Sequence, residues 1–360
     1  MNHKFPYKWK LTDLPEIGVP YHGAKVFSCF ACGGGSTLGY KLAGYNVIGC
    51  NEIDPKMMQV YKENHNPKYS FLEPIQTFKF REDLPKVFYR LDILDGSPPC
   101  SSFSMVGNRE KDWGKEKKFR EGQAKQVLDT LFFDFIDLAK KLQPKVVIAE
   151  NVKGILLGSA TKYRTNYVDR IYKAFDNAGY YCQHWLLDAS KMGVPQRRER
   201  VFFITLRKDL AKPFLYSKDV FNILPRLDLN WKEKEISFAK FIDNKDNTIQ
   251  KETGATKLWQ ICKQGHNFSE YHPKGHYYSF YKLKSSDIVP TITANPGDGA
   301  WHPNYCRLLN RKELCCAGTF PQDYNFLNNK EQYLIGMSVP PVMIAQIATK
   351  IYEQWLSKLD

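Results

Sequence analysis

Residues 25–36, KVFSCFACGGGS, decide the fold of this 360-residue chain. Lys25–Phe30 is a short apolar run typical of a buried strand, and the three glycines after it predict a tight turn before a helix that starts at Ser36. Glycines at such a turn let the backbone approach a ligand closely at the start of a helix. The spacing differs from the G-x-G-x-x-G of dinucleotide-binding proteins. The turn therefore indicates a ligand site, but it does not show which ligand binds there.

The segments that follow this turn alternate between strands and helices. The predicted strands after the first are Asn46–Glu52, 91–94, 146–149, 181–187 and 201–206. The predicted helices are 36–43, 55–64, 123–142, 163–178 and 341–356. Strands that alternate with helices predict an α/β fold with a Rossmann-like, doubly wound, mostly parallel sheet.

The composition changes after Arg207. From there to residue 304 the chain is rich in Asn, Lys, Pro and aromatic residues and shows weak periodicity. We therefore expect a first domain of residues 1–207 plus 305–360, and a smaller, loop-rich second domain at 208–304.

The chain is basic, with 52 Lys and Arg against 38 Asp and Glu and a formal net charge of +14. This balance predicts a polyanionic partner. No run approaches the ~18 apolar residues of a membrane span, and Met1–Lys10 lacks an apolar signal core. Nine cysteines, an odd number, favour a reducing compartment. We expect a cytoplasmic protein without a membrane partner.

Two residues at predicted strand ends can carry chemistry. Glu52 ends the second strand, where an acid commonly holds ribose hydroxyls in Rossmann-like folds. The run Gly96-Ser97-Pro98-Pro99-Cys100 follows the third strand, and its two prolines fix where the thiol lies. A thiol held in this way is a candidate nucleophile. The alternatives are a surface glutamate and an ordinary loop cysteine.

Glu150 ends another core strand, so it lies on the same edge of the predicted sheet. Arg197, Arg198 and Arg200 come just before the strand 201–206. Guanidinium groups beside Glu150 would hold a polar heterocycle and phosphates. The alternative is a solvated basic turn.

A metal site is not expected. Cys29 and Cys32 form a C-x-x-C, but no second pair has matching spacing, so buried thiols are the better interpretation. The remaining candidate ligands lack a recognised metal-binding spacing: Cys262, His266, His272, His276, Cys315 and Cys316.

The order of these motifs resembles the C5-cytosine-specific DNA methyltransferases of prokaryotic restriction–modification systems. The family shows F-x-x-x-G-G, then P-C, then E-N-V, then Q-x-R-x-R, as this chain does at 30–35, 99–100, 150–152 and 196–200. LFFD at 131–134, PTITA at 290–294, RLL at 307–309 through FP at 320–321, and GMSV at 336–339 resemble further family motifs. The resemblance covers nearly the whole chain and implies the fold of S-adenosylmethionine-dependent methyltransferases.

The resemblance implies S-adenosyl-L-methionine as the cofactor and S-adenosyl-L-homocysteine as its product. The residues implied to bind it are Phe30, Gly33, Gly34, Gly35, Glu52, Ile53, Ile75, Pro99, Leu131, Met337 and Ser338. The chain departs from the family pattern at three places on the cofactor side. Cys32 replaces the first loop glycine, Pro74 replaces the Asp that binds the adenine amino group, and Met337 replaces a common Asn.

The implied reaction is methylation of cytosine C5 through a covalent adduct. Cys100 would attack C6 of a cytosine flipped out of the duplex. Glu150 would act at N3 and Arg200 at O2, with Arg198 also lining the site.

Double-stranded DNA is the implied partner, with a cognate restriction endonuclease as a further possible partner, and we expect a monomer that associates with the nucleoid when bound to DNA. A loop at 101–122 would close over the DNA, and 208–304 would select the target sequence. The expected DNA contacts are Ser102, Arg109, Lys111, Lys117, Arg197, Lys263, Tyr277 and Lys282.

Two alternatives remain open from the sequence. One is a tRNA cytosine-C5 methyltransferase, although 208–300 contains no Cys-Phe-Thr signature. The other is a non-catalytic DNA-binding protein on the same fold. Methylation of an exocyclic amino group is disfavoured because Cys100 follows the two prolines where such enzymes have an aromatic residue.

Overall fold

The computed structural model describes residues 3–99, 116–117, 126–127, 130–156, 165–217, 223–295 and 299–359. Within these ranges the strands are β1 (Lys25–Cys29), β2 (Asn46–Glu52), β3 (Tyr69–Leu72), β4 (Ile93–Gly96), β5 (Glu116–Lys117), β6 (Gln126–Val127), β7 (Val146–Val152), β8 (Tyr180–Asp188), β9 (Glu199–Arg207), β10 (Leu215–Ser217), β11 (Ile223–Pro225), β12 (His266–Asn267), β13 (Phe280–Lys282) and β14 (Gly299–Trp301). The α-helices are α1 (Leu14–Ile17), α2 (Gly35–Leu42), α3 (Pro55–His65), α4 (Ile75–Phe78), α5 (Leu131–Leu142), α6 (Thr165–Asn177), α7 (Gly254–Ile261), α8 (Arg311–Gly318), α9 (Glu331–Met337) and α10 (Pro341–Gln354).

A seven-stranded sheet in the order β3-β2-β1-β4-β7-β9-β8 forms the centre of the fold. The four pairs from β3 to β7 are parallel, and β9 runs antiparallel to β7. The prediction of an α/β fold with a mostly parallel sheet is confirmed. Because β1, β2, β4 and β7 run in the same direction, the residues after them lie at one edge of the sheet, where ligands bind in such folds.

Apolar side chains from α5 and α6 pack with those of β1, β4, β7 and β9 in one continuous core. Phe135, Leu138 and Leu142 recur at helical spacing on α5 and are all almost fully buried. On α3, Pro55 occupies the first helical position and the Asp54 carboxylate accepts from the backbone N–H of Lys56 at 2.9 Å. These signals fix where the helices begin.

Several elements differ from the prediction, and three of them belong to the sheet unit around the predicted site. The helix predicted over 123–142 is wrong in its first part, because Gln126–Val127 is a strand and α5 begins at Leu131. The third strand lies at Ile93–Gly96, two residues later than predicted. The short strand β3 at Tyr69–Leu72 was not predicted, because its side chains are half-buried or exposed and show no clear alternation.

The chain divides into two compact units, which differ in extent from the predicted domains. The sheet unit comprises Val19–Leu187, Glu199–Asn230 and Ile347–Asp360. The second unit comprises Met1–Gly18, Asp188–Arg198 and Trp231–Gln346. The second unit contains the three-stranded sheet β12-β13-β14, where Phe268 and Trp301 form an aromatic core with their ring centroids 5.4 Å apart.

In the part of the chain that the structure describes, one stretch is long and apolar enough to cross a membrane by composition. It runs from Glu331 to Lys358, and 89% of its most apolar window is buried within the protein. Such burial is typical of the core helix of a globular fold.

Candidate active site

Four chain segments leave the sheet at its carboxyl edge and bring the predicted site residues to one place in the sheet unit. In the register of the sheet, Cys29 at the end of β1 is paired with Asn51 on β2 and with Gly96 on β4. Gly96 is in turn paired with Ala149 on β7, the residue before Glu150. The loop after β1, Glu52, the Pro-Pro turn and Glu150 therefore lie at the ends of four adjacent strands, as the sequence predicted.

Glu150 and Arg200 form an ion pair between β7 and β9. Arg200 Nε lies 3.0 Å from Glu150 Oε1, and the side chains are only 14% and 12% exposed. Arg200 also donates from Nη1 to the carbonyl oxygen of Glu199 at 2.7 Å. Burial lowers the pKa of Arg200, and the Glu150 charge opposes this effect. The pair thus holds an acid and a hydrogen-bond donor side by side.

Asn151 connects this pair to the turn before Cys100. Its Nδ2 donates to the carbonyl oxygen of Pro98 at 3.3 Å, and its Oδ1 accepts from the N–H of Val152 at 2.9 Å. The E-N-V motif thus fixes the Pro-Pro turn relative to Glu150. Cys100 itself lies outside the described residues.

The loop after β1 has an unusual backbone. Phe30 and Cys32 have φ values of 53° and 48°, and Gly34 has φ 94°. Gly34 precedes α2, which has no side-chain cap at its start. Left-handed backbone is uncommon at non-glycine residues and occurs preferentially at ligand sites. The loop therefore presents main-chain groups at the start of a helix.

Glu52 is buried and holds this loop through its carboxylate. Oε2 accepts from the N–H of Cys32 at 2.7 Å, and Oε1 accepts from Ile53 and Asp54 at 2.8 and 2.9 Å. Burial raises the pKa of Glu52, whereas these backbone hydrogen bonds oppose the rise. An ionised carboxylate has about four acceptor positions, so these three bonds leave capacity for a ligand hydroxyl.

The other predicted cofactor residues of the sheet unit separate into two groups. Phe30, Ile53 and Pro99 are half-buried at the sheet edge. Leu131 and Ile75 are 0% and 2% exposed and belong to the hydrophobic core. Their side chains pack within the fold, and their role as cofactor contacts stays a prediction.

The acid next to Pro74 is engaged in contacts within the fold. The adjacent Glu73 carboxylate accepts from Arg81 Nη1 at 2.8 Å and from Thr77 at 3.2 Å. Pro74 itself precedes α4 as its cap residue. The side chains beside Pro74 are thus used within the fold.

Arg198 is buried and bound within the second unit. It is 3% exposed, and its guanidinium donates to the carbonyl oxygens of Ile292, Gly336 and Ser338 at 2.8–3.0 Å. These contacts lie within the second unit and fix the backbone around Met337. Nη1 and Nη2 of Arg198 are thus bound to main-chain oxygens of the second unit, and its place in the catalytic site stays a prediction.

The predicted residues at 337 and 338 lie at the end of α9. Met337 is half-buried. Ser338 is buried, and its hydroxyl donates to the carbonyl oxygen of Leu334 at 2.8 Å. Gly336 allows a close approach of two segments, since a Cβ there would lie 2.5 Å from the backbone of Thr293.

The predicted DNA contacts within the second unit differ in exposure. Arg197 and Lys263 are exposed, and Tyr277 is half-buried with a left-handed backbone. Lys282 does not fit the prediction. It is 8% exposed, donates to the carbonyl oxygen of Trp259 at 2.8 Å, and lies 3.8 Å from the centroid of that ring. Its ammonium stabilises the unit and is not available to a phosphate.

The remaining predicted DNA contacts lie where the structure gives no side chain. Ser102, Arg109 and Lys111 fall outside the described residues, and Lys117 is described only as part of strand β5. Among the described residues, no three His, Cys, Asp or Glu side chains come together as a metal site.

Asp95 is a buried acid that the sequence analysis did not single out. It lies in β4, and its carboxylate accepts from Ser28 at 2.8 Å and from Tyr40 at 3.0 Å. Burial raises the pKa of Asp95 to about 7. In the sequence, a charged residue directly after an apolar run indicates the end of a strand, so the pattern gives no sign that Asp95 is buried.

Comparison with known proteins gives a consistent result across most of the chain. The profile of C-5 cytosine-specific DNA methylases matches residues 24–353. The type II methyltransferase M.FnuDI of Fusobacterium nucleatum is 31% identical over 245 residues, which cover 68% of this chain and 62% of that protein. M.NgoPII of Neisseria gonorrhoeae is 36% identical over 200 residues, which cover 55% of this chain and 52% of that protein. The chain therefore spans less than two thirds of the length of these relatives.

A solved structure shows the same fold. It is a prophage-encoded protein of Escherichia coli described as a DNA modification methyltransferase. The TM-score is 0.65 at 22% sequence identity, and the match covers 93% of this chain and 100% of that chain.

Proposed function

Because the chain belongs to the C-5 cytosine-specific DNA methylase family, we propose that it methylates C5 of cytosine in double-stranded DNA with S-adenosyl-L-methionine. The observation that carries this proposal is the buried Glu150–Arg200 pair, which Asn151 joins to the turn preceding Cys100. An acid and a cation beside the turn that precedes a candidate nucleophile are what addition to a pyrimidine ring requires.

The residues at the sheet edge suit the cofactor. The uncapped start of α2 and the left-handed loop before it offer backbone N–H groups to the carboxylate of the methionine part. Glu52 retains acceptor capacity for the ribose hydroxyls. When bound, S-adenosyl-L-methionine supplies an electrophilic methyl group that an activated C5 takes up. Phe30, Gly33, Gly35, Ile53 and Pro99 would complete this side of the site.

The chain's own groups would activate the cytosine. The Cys100 thiolate adds to C6, forming a sulfur–carbon bond while the electrons of the C5–C6 double bond shift toward N3 and O2. Glu150 donates a proton or a hydrogen bond at N3, and Arg200 donates to O2, so the developing negative charge is stabilised. When a base removes the C5 proton, the double bond re-forms and the thiolate leaves.

The partners follow from the same proposal. Exposed cations such as Arg197 and Lys263 suit the phosphates of a DNA duplex. By similarity to the type II methyltransferases, the enzyme would act in the cytoplasm beside a cognate restriction endonuclease. We propose that it does so as a monomer.

A methyl-transfer assay tests the function. The purified chain is incubated with tritium-labelled S-adenosyl-L-methionine and either duplex DNA or tRNA, and DNA from expressing cells is bisulfite-sequenced. We expect label in DNA and protected cytosines in one sequence context. Label in tRNA alone, or binding of DNA without any transfer, would refute the proposed function.

A further inference from the structure

His65, the last residue of α3, packs against the loop that we assign to the cofactor. Its ring is buried, and Nε2 lies 3.3 Å from the carbonyl oxygen of Gly33. On the other side of the ring, Nδ1 lies 3.4 Å from Nζ of Lys41 on α2. The same ammonium donates to the main-chain oxygen of His65 at 3.3 Å. His65 thus connects the end of one helix to the loop that starts another.

These contacts determine which ring nitrogen carries the proton. A carbonyl oxygen can only accept, so Nε2 is the donor toward Gly33. An ammonium can only donate, so Nδ1 accepts from Lys41. Burial and the nearby Lys41 charge place the pKa of His65 well below its ordinary value, despite the opposing effect of the Gly33 carbonyl. The ring is therefore held neutral and in one tautomer.

The imidazole also fills the space next to Gly34. A Cβ at Gly34 would lie 2.1 Å from His65 Nε2 and 3.1 Å from Cδ2 of Tyr61. Phe30 and Cys32 also have left-handed backbone, which is strained at non-glycine residues. The conformation of the loop therefore depends on contacts from residues outside it. Glu52 holds it from one side through Cys32, and His65 holds it from another through Gly33.

We propose that His65 is a positioning residue for the cofactor loop. Its Nε2–H, oriented by Lys41, fixes the Gly33 carbonyl and thereby the main-chain N–H groups at the start of α2. His65 acts through the loop and does not contact the cofactor itself. The inference rests on the proposed use of S-adenosyl-L-methionine.

Two substitutions separate the hydrogen bond from the packing. His65→Gln retains an amide N–H near the position of Nε2, whereas His65→Phe retains a ring and loses the donor. Binding of S-adenosyl-L-methionine to the full chain is measured by calorimetry. We expect the dissociation constant of His65→Phe to rise about tenfold, and that of His65→Gln to stay close to wild type.

Two further measurements distinguish positioning from general destabilisation. Hydrogen exchange of amides 31–36 in the cofactor-free protein should accelerate in His65→Phe, while amides of β7 stay protected. In DNA methylation, KM for the cofactor should rise while kcat at saturating cofactor is retained.

His22→Phe is the matched control. His22 Nε2 lies 3.0 Å from the carbonyl oxygen of Ala43, and its ring stacks on Tyr352, so the same kind of bond is lost outside the loop. We expect wild-type cofactor affinity for this variant. An unchanged dissociation constant in His65→Phe, or an equal loss in His22→Phe, would overturn the positioning role alone. Failure of the wild type to bind would overturn the proposed cofactor as well.

Discussion

The ion pair of Glu150 and Arg200 shows what single residues contribute to this site. Desolvating two charges costs free energy that their attraction only partly returns, so such a pair is poor evidence for stability. Because the pair lies at the carboxyl edge of the sheet, we attribute it to the proposed reaction and not to stability. Glu150 is held by Arg200 at this edge of the sheet, where we propose that it meets the N3 edge of a pyrimidine.

Glu150→Gln tests this role. The amide keeps the shape of the side chain but cannot supply the proton, so we expect turnover to fall by about 10²–10⁴-fold, with cofactor affinity close to wild type. Single-turnover methylation and calorimetry measure the two quantities. Glu199→Gln is the control, because Glu199 is exposed and pairs with Lys153 at 2.8 Å. Normal turnover in Glu150→Gln would contradict the assignment.

A substitution at Glu52 should weaken cofactor binding, in contrast to Glu150→Gln, which should lower turnover. Glu52→Ala removes the acceptor for ribose hydroxyls and is expected to weaken the cofactor by about 1–3 kcal/mol. It also removes the acceptor of three main-chain N–H groups, so the melting temperature should fall. Glu73→Gln at the same sheet edge is the control. Unchanged cofactor affinity in Glu52→Ala, measured by calorimetry, would remove Glu52 from the cofactor site.

The contacts of Arg198 and Lys282 could not be predicted from the sequence. A basic residue in Q-x-R-x-R or among aromatic residues indicates a charge, but the sequence does not show which carbonyl oxygens fold around it. Arg198 is enclosed by three such oxygens, and Lys282 by Trp259. Local pattern identifies a charge, and tertiary packing decides whether that charge is free.

At the scale of elements, prediction was accurate where local chemistry marks both ends. β2 has the predicted bounds, and the helix after it begins at Pro55 as predicted. Prediction was inaccurate where the apolar spacing of a helix continues beyond the end of that helix. Val127 fits the spacing of α5 but lies in a strand. The left-handed turn before α2 depends on Gly34, whose neighbours no sequence pattern identifies.

Gly34→Ala tests that turn, with Gly179→Ala as the matched control. Both glycines have φ near +90°, at 94° and 93°, but no atom lies within 4 Å of a Cβ at Gly179, whereas His65 occupies the space at Gly34. We expect Gly179→Ala to cost about 1 kcal/mol of unfolding free energy through backbone strain. Gly34→Ala should cost clearly more and weaken the cofactor. Equal losses in denaturant unfolding would show that the space beside Gly34 is not constrained.

For the whole molecule, we propose that one part of the chain carries out the reaction and another part recognises the target sequence. The acid and the cation of the proposed reaction lie in the sheet unit, and the chemistry there is the same for every cytosine. The distinction between target sequences must therefore come from another surface. The basic, aromatic segment 208–304 is the proposed surface; its residues 208–230 belong to the sheet unit and the rest to the second unit.

Transfer of residues 208–304 into a related enzyme tests this division. We expect the active hybrid to methylate the sequence preferred by this chain, as read by bisulfite sequencing. In the native chain, Lys263→Ala should weaken all DNA sequences equally and reduce the salt dependence of binding. An active hybrid that keeps its host's preference would place recognition elsewhere, most directly in 101–122.

The covalent adduct tests the account's central claim most directly. Cytosine that carries fluorine at C5 cannot lose a proton there, so an enzyme that attacks C6 through Cys100 remains attached to the DNA. The wild type with 5-fluorocytosine duplex and S-adenosyl-L-methionine should give a denaturation-resistant complex on a gel. Cys100→Ala should give none while still binding the duplex. An equal yield of adduct from Cys100→Ala, or no adduct from an active wild type, would contradict the proposed mechanism.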